Sequence, residues 1–337
     1  MKIKTVFIFC FMTLYEKHLT QMLPIFIRMI LLLLFFLFII FLVLSKGPDS
    51  FSFAEVFKNE NQGILWNFRL PLVVAAVFGG MGLSVAGLVM QSVFKNPLAG
   101  PFVLGVSSGA SLGVALVGVA GIAITSLNIL PAALIGGFCT VFIVFLCSRF
   151  FIGKAGILIV GLMIGYFADA IVSLVLFFGE ANALRGFITW GMGSFSRLSI
   201  DNVPYFSLAI LIGFLPICFS VRYLNLAPFG DDFVKDHGLS VKFFRWLTLL
   251  SASFLASVVT AFCGPIAFLG LAVPHLAYGI FKTTNHAVLL PTSALLGATL
   301  ALLASLFSYL PLQAIMSVIG VPVILWVLLS SRGKNRE

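Results

Sequence analysis

The sequence predicts an all-α polytopic membrane protein of about ten spans, and three observations carry that prediction. Apolar residues make up 61% of the chain and charged residues only 9%, where soluble domains run to about a quarter charged. Mean hydropathy is +1.17, and runs of about 20 apolar residues, the length that crosses a hydrocarbon core, recur along the whole chain. The runs do not alternate apolar with polar residues as barrel strands do, so helices are the spanning element.

The spans fall near 24–44, 70–93, 102–121, 128–148, 157–178, 202–221, 243–262, 266–281, 287–307 and 311–330. Residues 24–331 therefore form one ten-span domain, flanked by an N-terminal extension (1–23) and a basic tail (332–337). Within the extension, residues 6–15 are apolar but too short to span. Two readings stand for it: an interfacial helix, or a stretch upstream of a true start at Met22. Ser45-Lys46-Gly47-Pro48 after span 1 lacks a small-residue cleavage site, so span 1 reads as an uncleaved anchor.

Small residues mark tight packing in spans 2 and 3. Gly79, Gly80, Gly82 and Gly87 crowd the former, and Gly105, Gly109 and Gly113 recur every fourth position in the latter. Missing side chains let backbones approach where lipid supplies no hydrophobic drive. Gly100-Pro101 opens span 3 and Gly264-Pro265 opens span 8, as an inverted repeat would place them. Span 8 also carries Pro274 and reads as tilted or broken.

Charge sets the orientation. With the N-terminus in the cytoplasm, fifteen of the twenty Lys/Arg lie inside; Lys46, Lys58, Arg69, Arg185 and Arg197 lie outside. The positive-inside rule favours this arrangement, and an even span count returns the C-terminus to the cytoplasm. The net charge of +9 does not indicate nucleic acid, because the basic residues sit singly at span ends and form no block that tracks phosphates.

Catalytic and metal signals are thin. The five cysteines (Cys10, Cys139, Cys147, Cys218, Cys263) show no CxxC and read as inert buried thiols. Residues 105–109 match G-x-S-x-G, but a nucleophile elbow needs a strand-to-helix turn with a His and an acid, and this pentapeptide opens an apolar helix. Gly153-Lys154 lacks the other parts of a phosphate loop. No HExxH occurs, and His18, His237, His275 and His286 are dispersed. Neither an enzyme, a cofactor nor a metal site is expected.

Two polar features remain. Asp169 lies near the middle of span 5, where an ionised carboxylate costs about 2.5–3.5 kcal/mol on insertion scales. It either lines a wet path or is protonated and bonded to a hydroxyl such as Ser173 or Tyr166. Residues 225–242, NLAPFGDDFVKDHGLSVK, form the longest internal polar segment. Their mixed charges suit a soluble partner or a solvated connector better than a lipid surface, which would attract plainly basic residues.

Several stretches, taken in order, resemble the FecCD-type permeases of type II ABC importers, which carry iron-siderophores, haem and cobalamin. Arg69-Leu70-Pro71 is similar to the family's R-L-P-R. Met90-Gln91, Asn96-Pro97-Leu98-Ala99 and Leu104-Gly105-Val106-Ser107-Ser108-Gly109-Ala110 resemble its most distinctive block. Trp190-Gly191-Met192-Gly193-Ser194 is similar to W-x-x-G-S, and residues 264–275 to G-P-I-x-F-x-G-L-x-x-P-H. The resemblance covers spans 2 to 10.

The resemblance implies a type II importer permease with an inverted repeat in the cytoplasmic membrane. It would pair with a second copy or paralogue, two cytoplasmic ATPases and an external substrate-binding protein. The ATPase coupling loop would then map onto Gly230, Asp231, Asp232, His237, Gly238 and Leu239. The cytoplasmic gate would map onto Asn96, Pro97 and Leu98, and docking of the binding protein onto Arg69. Leu72 stands where the family has its second arginine, and residues 308–311 lack the family's Asp and Arg. Arg185 and Arg197 are the candidates to replace them. Asp169 occupies a pathway position where the family carries a small or hydroxyl residue. The expected cargo is an iron chelate, siderophore or haem, with cobalamin as the alternative. An ion-coupled carrier using Asp169 as its ion site is the rival from another class.

Overall fold

The computed structural model describes residues 2–45, 62–120, 126–147 and 154–334. Lys46, Lys58, Arg149 and the last three residues of the predicted tail lie outside them. Among the described residues every regular element is helical. Seven helices are long and apolar enough to cross a membrane, and three shorter apolar ones complete the predicted set.

In chain order the helices are α1 (Lys2–Ser45), α2 (Leu70–Phe94), α3 (Val106–Val119), α4 (Ser126–Cys147), α5 (Lys154–Phe177), α6 (Ala181–Gly191), α7 (Val203–Phe219), α8 (Val221–Leu226), α9 (Asp231–Asp236), α10 (Val241–Cys263), α11 (Leu269–Phe281), α12 (His286–Ser305) and α13 (Leu312–Lys334). Spans 1–5 are α1–α5, span 6 is α7, and spans 7–10 are α10–α13. The backbone of α1 is helical from Lys2 and runs through Pro24 without a break. A π-helical turn, Leu65–Arg69, leads into α2.

The centre of the bundle is α2, α10 and α12, whereas α1 leaves most of its surface uncovered. The packing repeats itself. α2 lies on α12 as α10 lies on α4, and α11 lies on α2 as α3 lies on α10. Likewise α3 contacts α4 and α5 as α11 contacts α12 and α13, with α2 against α10 at the junction. Spans 2 and 7 run in opposite directions, so these matched sets form an inverted repeat.

The glycines explain how close these helices come. A Cβ on Gly80 would overlap the Gly297 carbonyl of α12, and one on Gly87 would overlap the Gly270 carbonyl of α11. In the first half Gly109 abuts Gly136 and Thr140, and Gly113 meets Ala132. At these crossings dispersion between backbones replaces side-chain interdigitation.

Spans 3 and 8 are discontinuous. α3 has 14 residues and α11 has 13, about 20 Å of helix each, too short for a core of ~30 Å. Before α3 the chain makes a short 3-10 turn, Pro101–Leu104, then a left-handed Gly105 (φ 72°). Before α11 it runs irregularly from Gly264 (φ 80°) to Phe268 (φ 66°). Irregular backbone at membrane depth is stable only when protein covers it, and Gly100, Pro101, Gly264 and Ile266 are all buried. The expected interruption at Pro274 is displaced: α11 continues through that proline, and the break precedes the helix.

Candidate functional site

One end of the bundle gathers Lys95, Arg222, Lys235, Lys242, Arg245 and Lys282, and both predicted loops sit there. α2 ends in a left-handed Lys95 (φ 52°), which turns the chain into Asn96, Pro97 and Leu98. The Asn96 side-chain oxygen accepts from the Leu98 amide (2.9 Å), and the Ala99 amide donates to the Asn96 carbonyl (3.0 Å). These bonds make a compact turn. The ring Nε2–H of His275, on α11, donates to the Pro97 carbonyl (2.8 Å). Gln91 Nε2 donates to the Leu271 carbonyl (3.1 Å). The turn is thus tied to α11 on both sides, while Leu98 remains exposed.

The second loop is built on glycines. Gly230 (φ 120°) and Gly238 (φ 76°) adopt backbone conformations that side chains resist, and they bracket the short helix α9. Val234 is fully buried beneath it. Asp231 Oδ2 pairs with Arg245 of α10 at 2.5 Å, so this carboxylate faces inward. Asp232 faces out, its side chain 92% exposed, and pairs only one turn along with Lys235 (2.8 Å). That hydrogen bond raises the Lys235 pKa above its ordinary value. His237 Nδ1–H donates to the Phe233 carbonyl (2.8 Å), and the Leu239 amide closes on the Val234 carbonyl. Phe229 and Phe233 project outward next to these charges. Beneath the loop Tyr223 stacks on Phe244. Burial raises its phenol pKa, and the adjacent Arg245 partly offsets that rise.

The opposite end carries Arg69, Arg185 and Arg197. Arg69 is only 8% exposed, and its Nη1 donates to the Leu44 carbonyl at the end of α1 (2.5 Å). Arg197 donates to the carbonyls of Thr189 and Trp190 and so caps the C-terminus of α6. Burial lowers its pKa. Arg185 is exposed on the outer face of α6. This helix was not anticipated from the sequence, because its mixed composition resembles a loop.

Asp169 lies on an open face of α5, and its Oδ2 accepts from Ser108 of α3 (3.0 Å). The partner differs from the two expected. Ser173 bonds only to the Asp169 backbone carbonyl (2.9 Å). Close approach of Gly161 and Gly165 to Gly105 brings α3 and α5 together for the Ser108 contact. The neighbouring Ser107 of the G-x-S-x-G match follows a 3-10 turn rather than a strand. Among the described residues no three His, Cys, Asp or Glu side chains gather as metal ligands would.

Sequence reasoning missed the buried group that joins these loops. His286 is 2% exposed and bonds through one ring nitrogen to Ser92 of α2 (2.6 Å) and through the other to Asn225 of α8 (2.9 Å). Dispersed positions in the chain hide such a cluster.

The profile of the FecCD transport family matches residues 10–330. The chain belongs to the FecCD transport family. It is an integral membrane permease, a transport component. It is 30% identical over 301 residues to the vitamin B12 import system permease protein BtuC of Shigella boydii, covering 86% of this chain and 91% of that protein. Against the protein of the same name from Klebsiella pneumoniae it is 31% identical over 293 residues, covering 82% and 85%. Among solved structures, one described as an inward-facing conformation of a putative metal-chelate type ABC transporter superposes with a TM-score of 0.81 at 27% identity. It covers 89% of this chain and 97% of that one. The ten-span FecCD fold, with its inverted repeat, is therefore the fold expected from the sequence.

Proposed function

We propose that this FecCD permease belongs to an ATP-driven importer that moves an iron chelate, siderophore or haem, across the cytoplasmic membrane. The observation that carries the reading is the placing of the 96–98 turn and the 230–239 loop at one basic end. The first is tied to a half-helix, and the second presents Asp232, Phe229 and Phe233 outward. The excess of Lys/Arg at that end supports a cytoplasmic assignment for it and for both termini. In this reading the 230–239 loop docks on one of two ATPases and the 96–98 turn closes the path. A second permease copy or paralogue completes that path, and an external binding protein delivers the cargo.

Arg69 serves docking at the outer end through the α1–α2 junction it holds together, and exposed Arg185 supplies the direct charge contact. Asp169 lines the path, since a mid-span carboxylate on an open helix face is unfavourable against lipid and Ser108 alone supplies one donor. The solved structure described as a metal-chelate type ABC transporter favours a chelate. The relatives named for vitamin B12 favour cobalamin as the second reading.

The test is affinity purification of the detergent-solubilised protein from its native membrane, followed by reconstitution of what co-purifies. A stoichiometric ATPase with a binding protein, and ATP-dependent uptake of a ferric hydroxamate or haem that excess cobalamin does not compete away, is the expected result. Uptake of cobalamin alone would select the second reading. Uptake driven by membrane potential without ATP would refute both and place Asp169 at the centre of an ion-coupled carrier.

A further inference from the structure

Polar side chains, with Ser92 and His286 buried among them, tie together two loops that lie far apart in sequence. Asn225 sits in α8, just ahead of the 230–239 loop. Its side-chain oxygen accepts from the backbone N–H of His286 (2.7 Å) and from the ring Nδ1 of the same residue (2.9 Å). Its Nδ2 donates to the Asn285 side-chain oxygen (3.1 Å), which also caps the Ala287 amide (2.9 Å). A backbone N–H can only donate, so the atom of Asn225 facing it is the amide oxygen, and Nδ1 carries the ring proton. In the neutral ring Nε2 is then an acceptor, and it faces the Ser92 hydroxyl at 2.6 Å. Ser92 lies in the last turn of α2, directly ahead of Asn96, Pro97 and Leu98.

The two ends of this chain differ in kind. Asn225 grips His286 through two bonds into one oxygen. Ser92 has a single hydroxyl proton, with His286 Nε2 and the Leu88 carbonyl of its own helix (2.8 Å) as acceptors, and the Tyr278 phenol of α11 also bonds its hydroxyl. One proton cannot serve both, so the Ser92 end can release His286 without leaving the hydroxyl unsatisfied. The attachment on the α8 side is fixed and the attachment on the α2 side is exchangeable. On the far side of the turn His275 holds Pro97 from α11, whose C-terminus leads through residues 282–285 into His286.

We propose that Asn225 and His286 are positioning residues that carry displacement of the 230–239 loop to the 96–98 turn, with Ser92 as the detachable end. The proposal rests on the importer reading above. Coupling of this kind needs an element that both loops bias, and the exchangeable Ser92 proton supplies it.

The experiment uses the complex of this chain with its ATPase and binding protein in proteoliposomes, with ferric hydroxamate, haem and cobalamin as cargoes. Cargo accumulated and ATP hydrolysed are measured in the same vesicles. Asn225→Ala and Ser92→Ala each lower cargo moved per ATP by about tenfold, within the usual range of coupling between sites, while hydrolysis stays within about twofold. Asn225→Asp gives up the donation to Asn285 but keeps both bonds accepted from His286, and it holds the ratio near that of the unmodified complex. A parallel fall of transport and hydrolysis in the two alanine variants, or an unchanged ratio in both, overturns the proposal. The variants cut the same chain at opposite ends, so if melting shows one to be unfolded the other decides. No ATP-driven accumulation by the unmodified complex would overturn the importer reading itself, and this inference with it.

Discussion

Asp231 and Asp232 are adjacent in sequence, and the structure assigns them opposite consequences. Asp231 pairs with Arg245, whose side chain is only 16% exposed, at 2.5 Å. Removing its carboxylate leaves a mostly covered guanidinium without that partner. Exposed pairs contribute about 0–1 kcal/mol, and breaking a fully buried pair costs about 3–5 kcal/mol. Because Asp231 itself is 42% exposed, Asp231→Ala belongs nearer the lower limit, at about 1–2 kcal/mol. This loss falls on the hold between α9 and α10, and it corresponds to a rise of about 5–30-fold in the opening of α9. Asp232, 92% exposed, loses only a solvent-screened pair with Lys235 one turn along the helix. Amide hydrogen exchange across residues 231–239 of the detergent-solubilised protein measures both. Faster exchange in Asp231→Ala and near-unchanged exchange in Asp232→Ala are expected. ATP hydrolysis stimulated by the binding protein should fall in both, in Asp232→Ala without any loss of local structure. Equal exchange in the two variants would refute the assignment of inward and outward carboxylates.

Further predictions follow from packing and capping. Gly87→Val puts a side chain into the Gly270 backbone and should cost about 3 kcal/mol or more, at the upper end of overpacking, read as a loss of monodisperse protein. Gly191→Ala meets nothing within 4 Å and should leave the melting temperature unchanged, which makes it the control. Arg197→Met removes the two caps on α6 and should destabilise that helix by about 1–2 kcal/mol, visible as faster exchange over residues 181–191 and slower exchange nowhere. Asp169→Ser should change the uptake rate or the cargo preference of the reconstituted importer, and an identical uptake profile would return Asp169 to a purely structural role.

The sequence made the spans legible because hydrocarbon demands length and apolarity, and both are local properties. It also marked the glycine crossings, since close backbone approach leaves a fourfold spacing that needs no partner to be visible. Helix α6 escaped because ANALRGFITWG mixes polar and apolar residues, as an amphipathic surface helix must. The break before α11 is legible in Gly264-Pro265, whereas the interruption expected at Pro274 is absent, because helices tolerate proline when neighbouring groups satisfy the freed carbonyl. The true discontinuity lies in Gly264 and Phe268, and a left-handed phenylalanine has no signature in composition. Arg69 could be found as a motif, but its burial against Leu44 could not, and neither could the meeting of Ser92, His286 and Asn225. Such contacts are set by which helix lies beside which, and they emerge only once the bundle is assembled.

The discontinuous spans give the bundle a degree of freedom that continuous rods lack. A helix that crosses the whole bilayer can only tilt or slide as a unit, so moving one end displaces the other. α11 hangs from an irregular lead of residues 264–268 whose upper end is fixed by the Ser194 amide bonded to the Cys263 carbonyl (2.7 Å). Halfway along the helix His275 meets Pro97. A change in the backbone torsions of this lead would reorient α11 without breaking a hydrogen bond inside the helix. α3 hangs in the mirrored sense from residues 100–105, with Ser108 against Asp169 a turn away. The inverted repeat therefore sets two half-helices with irregular leads into the bundle, pointing in opposite directions.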